Sequence, residues 1–337
     1  MEEDVLDYAL DKNLIDLETK ALIEEYDARL TQNNVPIVYN LRHLRKILQI
    51  KKQDQNKLFG PQRQAAYRTF LIPKKRGGTR KIEAPIDQLR IIQKWIKKRI
   101  LDKFSVSEAA NGFVKKRSIY NNALPHTNKE LVINLDLKDF FPSITYSDVF
   151  KVFIYMGYTK EVSHLLTQLC TNGNNVLPQG SPASPSLSNL ICLKLDKRIS
   201  SLAKKNGFTY TRYADDITIS GEKNIVNSLP LICRIIREEG FVINQEKTRL
   251  QYSSHRQEVT GLTVNKKVSI TKKMKKEIED AIYYCSKYGV VSHMERIKCN
   301  KAFYKEHLYG IAFFVNMIDQ NKGKAYLQAL DRIEWLY

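Results

Sequence analysis

The sequence predicts an α+β protein, in which helices alternate with a few short strands and two tight hairpins. Apolar residues recur at helical spacing in four stretches: residues 1–60, 147–170, 185–203 and 272–337. Strand-like apolar runs or alternation occur in three others: residues 66–85, 131–137 and 210–220. The chain has 337 residues, 43% of them hydrophobic and 27% charged, which is typical of a globular protein with a buried core.

Each element has its own local signal. Residues 66–85 form two strand-like runs around a Gly-Gly turn, which predicts a hairpin with five cations near its tip. A helix follows over residues 87–104, and the apolar run 131–137 predicts a buried strand. Residues 210–220 alternate on both sides of a polar centre, which predicts a second hairpin. Beyond it we expect a helix over 224–239, a strand over 241–244 and two short strands near 259–263 and 268–270.

The charge is unevenly distributed along the chain. The net charge is +19, but residues 1–30 carry ten Asp or Glu and three Lys or Arg, a net of −7, so the remaining residues carry +26. A basic body predicts a polyanionic partner such as nucleic acid, although a solvated surface explains the charge equally well. No apolar run is long enough to span a bilayer, and the acidic start argues against a secretory or transit signal. Five scattered cysteines without a Cys-x-x-Cys pair favour a cytoplasmic protein with no zinc site or disulfide framework.

Three aspartates are candidates for a metal site. Asp136 ends a predicted strand, and Asp215 and Asp216 lie at a hairpin tip between apolar neighbours, where adjacent like charges are costly. If that hairpin lies beside the strand, three carboxylates converge. Oxygen ligands of this kind suit Mg²⁺, and two ions about 3.5–4 Å apart are the arrangement used for phosphoryl transfer. The alternative is an ordinary acidic turn.

Several ordered segments resemble the motifs of reverse transcriptases. Motifs A, B and C are matched in sequence order by Asn134–Pro142, Leu177–Pro185 and Tyr213–Asp216. Gly240–Thr248 resembles motif D, and the basic hairpin Lys74–Pro85 resembles the fingers motif with its Arg-x-Ile-x-x-Pro ending. The resemblance implies a right-hand polymerase with fingers, a palm made of an antiparallel sheet plus helices, and a short helical thumb.

This resemblance divides the chain into four regions. An N-terminal helical region covers residues 1–60, and fingers with the basic hairpin cover 61–130. The palm with the catalytic carboxylates covers 131–265, of which 147–180 belong partly to the fingers, and the thumb covers 266–337.

Two short segments resemble the retron subfamily in particular. Asn122 and His126 fit an Asn-Ala-x-x-His element ahead of motif A, and Val259-Thr260-Gly261 fits a Val-Thr-Gly element after motif D. Ser181 departs from the family pattern, because Ala is frequent at that position. The resemblance therefore implies a retron-type reverse transcriptase.

The resemblance also implies roles for individual residues. Asp136, Asp215 and Asp216 would bind two Mg²⁺ ions as the catalytic carboxylates, with Lys247 as a general acid toward pyrophosphate. Phe141 would select deoxynucleotides by excluding a ribose 2′-hydroxyl. The other residues expected to bind the incoming nucleotide are Lys74, Lys75, Arg80, Asp139, Phe140 and Gln179. Those expected to bind RNA are Asn122, His126, Val259, Thr260, Gly261, Lys272, Lys273, Lys275 and Lys276.

The implied activity is an RNA-directed DNA polymerase that copies its own structured non-coding RNA. Synthesis would start from a guanosine 2′-hydroxyl and give branched RNA-linked single-stranded DNA, in an anti-phage system with a separate effector protein. Its partners would be that RNA, the RNA–DNA product and dNTPs, with no membrane. Two alternatives remain: a group II intron-like reverse transcriptase that uses a 3′-hydroxyl primer, and a non-catalytic RNA-binding scaffold of the same fold.

Overall fold

The computed structural model describes residues 3–74, 77–299 and 301–335. Its α-helices are α1 (Glu3–Asp11), α2 (Leu17–Gln32), α3 (Leu41–Leu48), α4 (Gln55–Phe59), α5 (Asp87–Arg99), α6 (Ile119–Ala123), α7 (Phe140–Ser143), α8 (Tyr146–Tyr155), α9 (Lys160–Cys170), α10 (Ser184–Ile191), α11 (Leu193–Asn206), α12 (Leu229–Glu238), α13 (Lys272–Tyr288), α14 (Val290–Arg296), α15 (Tyr304–Ile318) and α16 (Gln320–Asp331). Its strands are β1 (Tyr67–Pro73), β2 (Thr79–Pro85), β3 (Leu131–Asp136), β4 (Thr209–Tyr213), β5 (Asp216–Gly221), β6 (Arg249–Tyr252), β7 (Glu258–Val259) and β8 (Leu262–Thr263).

Side-chain caps fix the starts of several helices. The Asp16 carboxylate accepts a hydrogen bond from the Thr19 amide at the start of α2, and Thr271 caps α13 through the Met274 amide. Thr145 and Asp148 form a reciprocal capping box at the start of α8. These polar side chains satisfy amide groups that have no partner within the helix, which is why the helices begin where they do.

Within the described residues the strands form three antiparallel groups. β1 pairs with β2 as the predicted basic hairpin, and β7 pairs with β8. The central sheet has the strand order β4-β5-β3-β6, so the β4–β5 hairpin lies against β3, which is the condition under which the sequence predicts that the carboxylates converge. The strand predicted over 241–244 is wrong, because that segment makes only an isolated bridge between Leu137 and Ile243. The fourth strand is β6, which the sequence did not reveal because it has only four residues and its apolar residues, Leu250 and Tyr252, are exposed.

The described residues divide into two compact units. The first contains those of residues 1–113, 137–198 and 234–243, and the second those of 114–136, 199–233 and 244–337. The first unit holds the β1–β2 hairpin with α1–α5 and α7–α10. The second holds the four-stranded sheet, β7–β8, α6 and α13–α16. The four regions drawn from the sequence stay a prediction.

Two apolar clusters organise the second unit. One lies among helices α13–α16 and includes Ile278, Leu308 and Leu330, all fully buried. The other joins Val132 of β3 to Val259 and Leu262 of the β7–β8 hairpin. Removing this apolar surface from water stabilises both groups of elements. In the part of the chain that the structure describes, no helix is long and apolar enough to cross a membrane.

Candidate active site

Sheet register brings two of the predicted carboxylates together. β3 and β5 pair antiparallel with Asp136 directly opposite Asp216, at the end of both strands. Tyr213 pairs with Asp216 across the β4–β5 hairpin, so only Ala214 and Asp215 form its turn. Cross-strand neighbours have Cβ atoms about 4.5–5.5 Å apart. The strand pairing therefore concentrates negative charge at one end of the sheet.

A strained turn presents Asp215. Ala214 has φ +58°, a left-handed conformation that two-residue hairpins require and that Gly or Asn usually supplies. Arg212, which is fully buried, donates from Nη1 to the Ala214 carbonyl oxygen at 3.1 Å. The sequence reasoning missed this arginine, although an arginine in an otherwise apolar hairpin was the available signal. Its bond holds the turn carbonyl next to the predicted metal ligand.

The electrostatics of the cluster favour a cation. The pKa of Asp216 rises to about 6, because surrounding protein displaces water from its carboxyl group and because Asp215 and Asp136 add like charge. Lys247 and Arg249 oppose this rise in pKa. Asp216 is nevertheless exposed to solvent at the start of β5, so repulsion by Asp215 and Asp136 dominates the rise in its pKa. Bound positive charge would relieve the repulsion.

Lys247 contacts the carboxylate cluster directly. Its Nζ donates to both carboxylate oxygens of Asp136, at 2.9 and 3.0 Å. The segment is held in place by the Asn244 amide, which donates to the Asp136 carbonyl oxygen at 2.7 Å. The Asp136 side chain is buried, whereas that of Lys247 is half exposed. Lys247 therefore acts as the counterion of Asp136 in this structure.

Divalent cations fit the donor set of this cluster. Carboxylate oxygens are the ligands that hard divalent ions prefer, and Asp136, Asp215 and Asp216 supply them. Among the described residues, no three His, Cys, Asp or Glu side chains are already arranged around one metal position. Lys247 engages both oxygens of Asp136, so an ion bound there would have to displace its ammonium group.

Several predicted nucleotide-binding residues lie in the first unit. Asp139 has φ +48° at the start of α7, and Phe140 is buried with its ring centroid 5.7 Å from that of Phe241. The Phe141 ring is 5.4 Å from Phe140 and 6.1 Å from Phe113. Phe141 thus packs against two other rings, and its role in sugar selection stays a prediction.

The cationic candidates lie on the β1–β2 hairpin of the same unit. Lys74 and Arg80 are exposed near its tip, where Ile72 pairs with Arg80. Lys75 lies outside the described residues. Gln179 is half-buried in the turn that precedes α10. The exposed cations are free of the hydrophobic core and available to an anionic ligand.

The two retron elements are structural parts of the second unit. Asn122, His126 and Val259 are fully buried. His126 Nδ1 lies 2.6 Å from Ser220 Oγ, and its Nε2 lies 2.8 Å from Thr211 Oγ1. Burial thus corrects the expectation that these three side chains contact RNA, because the core encloses them.

The remaining RNA-binding candidates are more accessible. Thr260 and Gly261 form the β7–β8 turn with φ +46° and +84°, and Gly261 is exposed. A positive φ at both positions is what a two-residue hairpin turn needs, which explains a glycine there. All four lysines predicted to contact RNA are exposed near the start of α13: Lys272, Lys273, Lys275 and Lys276.

Comparison with known proteins matches this site to a family. Residues 72–265 match the family described as reverse transcriptase (RNA-dependent DNA polymerase). The chain is 36% identical over 314 residues to the retron Ec86 reverse transcriptase of Escherichia coli, across 92% of this chain and 94% of that relative. This chain belongs to the retron-type reverse transcriptases. The enzyme is therefore an RNA-directed DNA polymerase with the α+β right-hand fold, as predicted.

Other relatives agree with this assignment. The enzyme is 36% identical over 279 residues to the retron Mx65 reverse transcriptase of Myxococcus xanthus, covering 77% of this chain and 62% of that one. The retron Mx162 enzyme of the same organism is 35% identical over 303 residues, covering 80% and 61%. A telomerase from Candida albicans, solved with a fragment of telomeric RNA, covers 90% of this chain and 58% of its own at 12% identity. The TM-score of that structural match is 0.47.

Proposed function

We propose that this enzyme reverse transcribes its own structured non-coding RNA and begins DNA synthesis from the 2′-hydroxyl of a guanosine in that RNA. The product would be single-stranded DNA joined to RNA through a branch. The observation that carries this proposal is the 36% identity to a retron reverse transcriptase along 94% of that relative. The two retron elements, at Asn122–His126 and Val259–Gly261, add support from the sequence.

In this proposal Asp136, Asp215 and Asp216 hold two Mg²⁺ ions. The chemistry that the bound ions supply is activation of the attacking hydroxyl and stabilisation of the leaving pyrophosphate. Lys247 Nζ lies next to the same cluster, where it would act as the general acid toward pyrophosphate.

The residues of the first unit bind and orient the nucleotide. Lys74 and Arg80 neutralise the triphosphate, with Lys75 in the same proposed role. The Asp139 and Phe140 backbone amides bind the triphosphate and Gln179 positions the nascent base pair. Phe141 excludes the ribose 2′-hydroxyl.

The proposed binding partners rest on the positive charge of the chain and on its similarity to retron reverse transcriptases. The net charge of +19 suits an RNA partner and its RNA–DNA product, and the exposed lysines of α13 would contact phosphates without reading sequence. We further propose a cytoplasmic role in anti-phage defence, together with a separate effector protein. The acidic segment 1–30 is the part of the chain least suited to nucleic acid, and we assign it to a protein contact.

The test uses the purified enzyme with RNA transcribed from its neighbouring locus, dNTPs and Mg²⁺. We expect DNA covalently joined to RNA, even when the RNA 3′ end is chemically blocked. Synthesis that stops on blocking the 3′ end would contradict 2′-hydroxyl priming and favour the intron-like alternative. Asp215→Asn combined with Asp216→Asn should abolish synthesis. Glu222→Gln is the matched control, because this exposed acid follows the opposite end of β5.

A further inference from the structure

A buried carboxylate in the first unit is not explained by the roles above. Glu83 lies on β2, and only 6% of its surface is exposed. Its amide donates a hydrogen bond to the carbonyl oxygen of Gln179 at 2.8 Å. Gly180 follows with φ +125°, and a Cβ atom there would lie 2.9 Å from Ile82 Cγ2 and 3.1 Å from the Glu83 carbonyl oxygen. The turn that carries Gln179 therefore rests directly on β2.

Three donors converge on the Glu83 side chain. Oε1 accepts from Gln64 Nε2 at 3.1 Å and from Lys81 Nζ at 3.0 Å, and Oε2 accepts from Asn172 Nδ2 at 2.8 Å. Burial by itself raises the pKa of this carboxyl group, but hydrogen bonds from Lys81, Gln64 and Asn172 outweigh it, so the pKa is lowered. The ionised form is the one that the surroundings stabilise.

The side-chain amide groups of Gln64 and Asn172 cannot rotate to exchange their oxygen and nitrogen atoms. Gln64 Oε1 already accepts from the Gly173 amide at 3.1 Å. Asn172 Oδ1 accepts from the amides of Asn174 and Val176 at 3.0 and 3.3 Å. Both carbonyl oxygens are committed to backbone donors, so only the NH₂ groups face Glu83. Position 83 must then supply an acceptor on both sides, which a carboxylate does and a carboxamide does not.

We infer that Glu83 is a positioning residue for the incoming nucleotide. Its carboxylate links β2 by hydrogen bonds to the segments that carry Gln64 and Asn172. Its backbone amide bonds to the Gln179 carbonyl oxygen and so holds that turn against β2. This inference rests on the proposed role of Gln179 in nucleotide binding. Loss of the carboxylate would displace the turn and weaken nucleotide binding more than it slows the bound nucleotide's reaction.

The experiment measures dNTP incorporation on an RNA template with an annealed DNA primer. Glu83→Gln should raise the KM for dNTP about tenfold, with kcat changed less than threefold, because one NH₂ group would face another. Adding Asn172→Asp returns an acceptor to that side, so the double variant should recover a KM within about threefold of the unmodified enzyme. Asn172→Asp alone sets two carboxylates against each other and should raise KM.

Glu239→Gln is the matched control. The Glu239 side chain is 11% exposed, against 8% for Glu83, and it pairs with Arg198 and Lys194 in the same unit. It should lower thermal stability and leave KM unchanged. A KM within twofold of the unmodified value in Glu83→Gln, with a comparable loss of stability, would overturn the inference.

If Glu83→Gln does not fold, the comparison is between Asn172→Asp and the double variant. The inference requires the lower KM in the double variant, and equal values overturn it. Absence of incorporation by the unmodified enzyme would instead contradict the polymerase function itself, so the two failures are distinguishable.

Discussion

Replacing His126 by glutamine should remove much of the enzyme's sensitivity to acid. His126 is fully buried between Ser220 and Thr211, and its pKa falls from 6.5 to about 3 because burial, and secondarily the charge of Lys129, disfavour the protonated ring. Glutamine offers one donor and one acceptor to the same hydroxyl groups, but it takes up no proton in this range.

The magnitude follows from the difference in proton uptake. Above pH 6.5 the ring is neutral in both the folded and the unfolded states. Below that value His126 binds a proton in the unfolded chain, whereas in the folded chain it stays neutral down to about pH 3. The folded state therefore loses stability as the pH falls. Each pH unit costs about 1.36 kcal/mol, so His126 should account for roughly 2 kcal/mol of lost stability between pH 7 and pH 5.

The assay is urea denaturation of the full chain at both pH values. The unmodified enzyme should lose roughly 2 kcal/mol more than His126→Gln between pH 7 and pH 5. His255→Gln is the control, since it replaces an exposed histidine and should not change the difference. An equal loss in His126→Gln and the unmodified enzyme would show that His126 is not the source of the acid sensitivity. RNA affinity at pH 7, corrected for the folded fraction, should stay unchanged because the ring is buried.

Three further changes test the site and the fold. Lys247→Gln should bind Mn²⁺ about fivefold more tightly, as measured by calorimetry. The reason is that the half-exposed ion pair of Lys247 with Asp136, worth about 1 kcal/mol, no longer competes with the metal ion for the carboxylate. Equal affinity in the variant and the unmodified enzyme would contradict this. Gly323→Ala should lower the free energy of unfolding by roughly 1–3 kcal/mol in urea denaturation, because the new Cβ would lie 2.2 Å from Asn316 Cα. Gly310→Ala is the control and should not lose stability, because a Cβ there would meet nothing within 4 Å. Phe141→Ala should raise ribonucleotide incorporation relative to deoxynucleotide at least tenfold; an unchanged ratio would remove its proposed role in sugar selection.

The local pattern of the sequence was sufficient where one segment determines its own structure. The β1–β2 and β4–β5 hairpins form where alternation and turn residues predicted them. The sequence did not predict β6, because four residues at a sheet edge are too short a segment for their alternation to stand out. It also placed a strand over 241–244, where Gly240 has φ +86° and Val242 is 58% exposed.

Residue types and their order along the chain were enough to predict the candidate carboxylates and the basic hairpin of this enzyme. Which of these groups contact one another depends on the packing of distant segments. Asp136 and Lys247 are 111 residues apart, and no local pattern reports their contact. In the core, the His126 ring contacts the hydroxyl groups of Ser220 and Thr211. A histidine predicted to contact RNA is therefore part of the buried structure. The physical reason is that burial and sheet register arise from packing among distant segments, whereas residue type and spacing record only local preference.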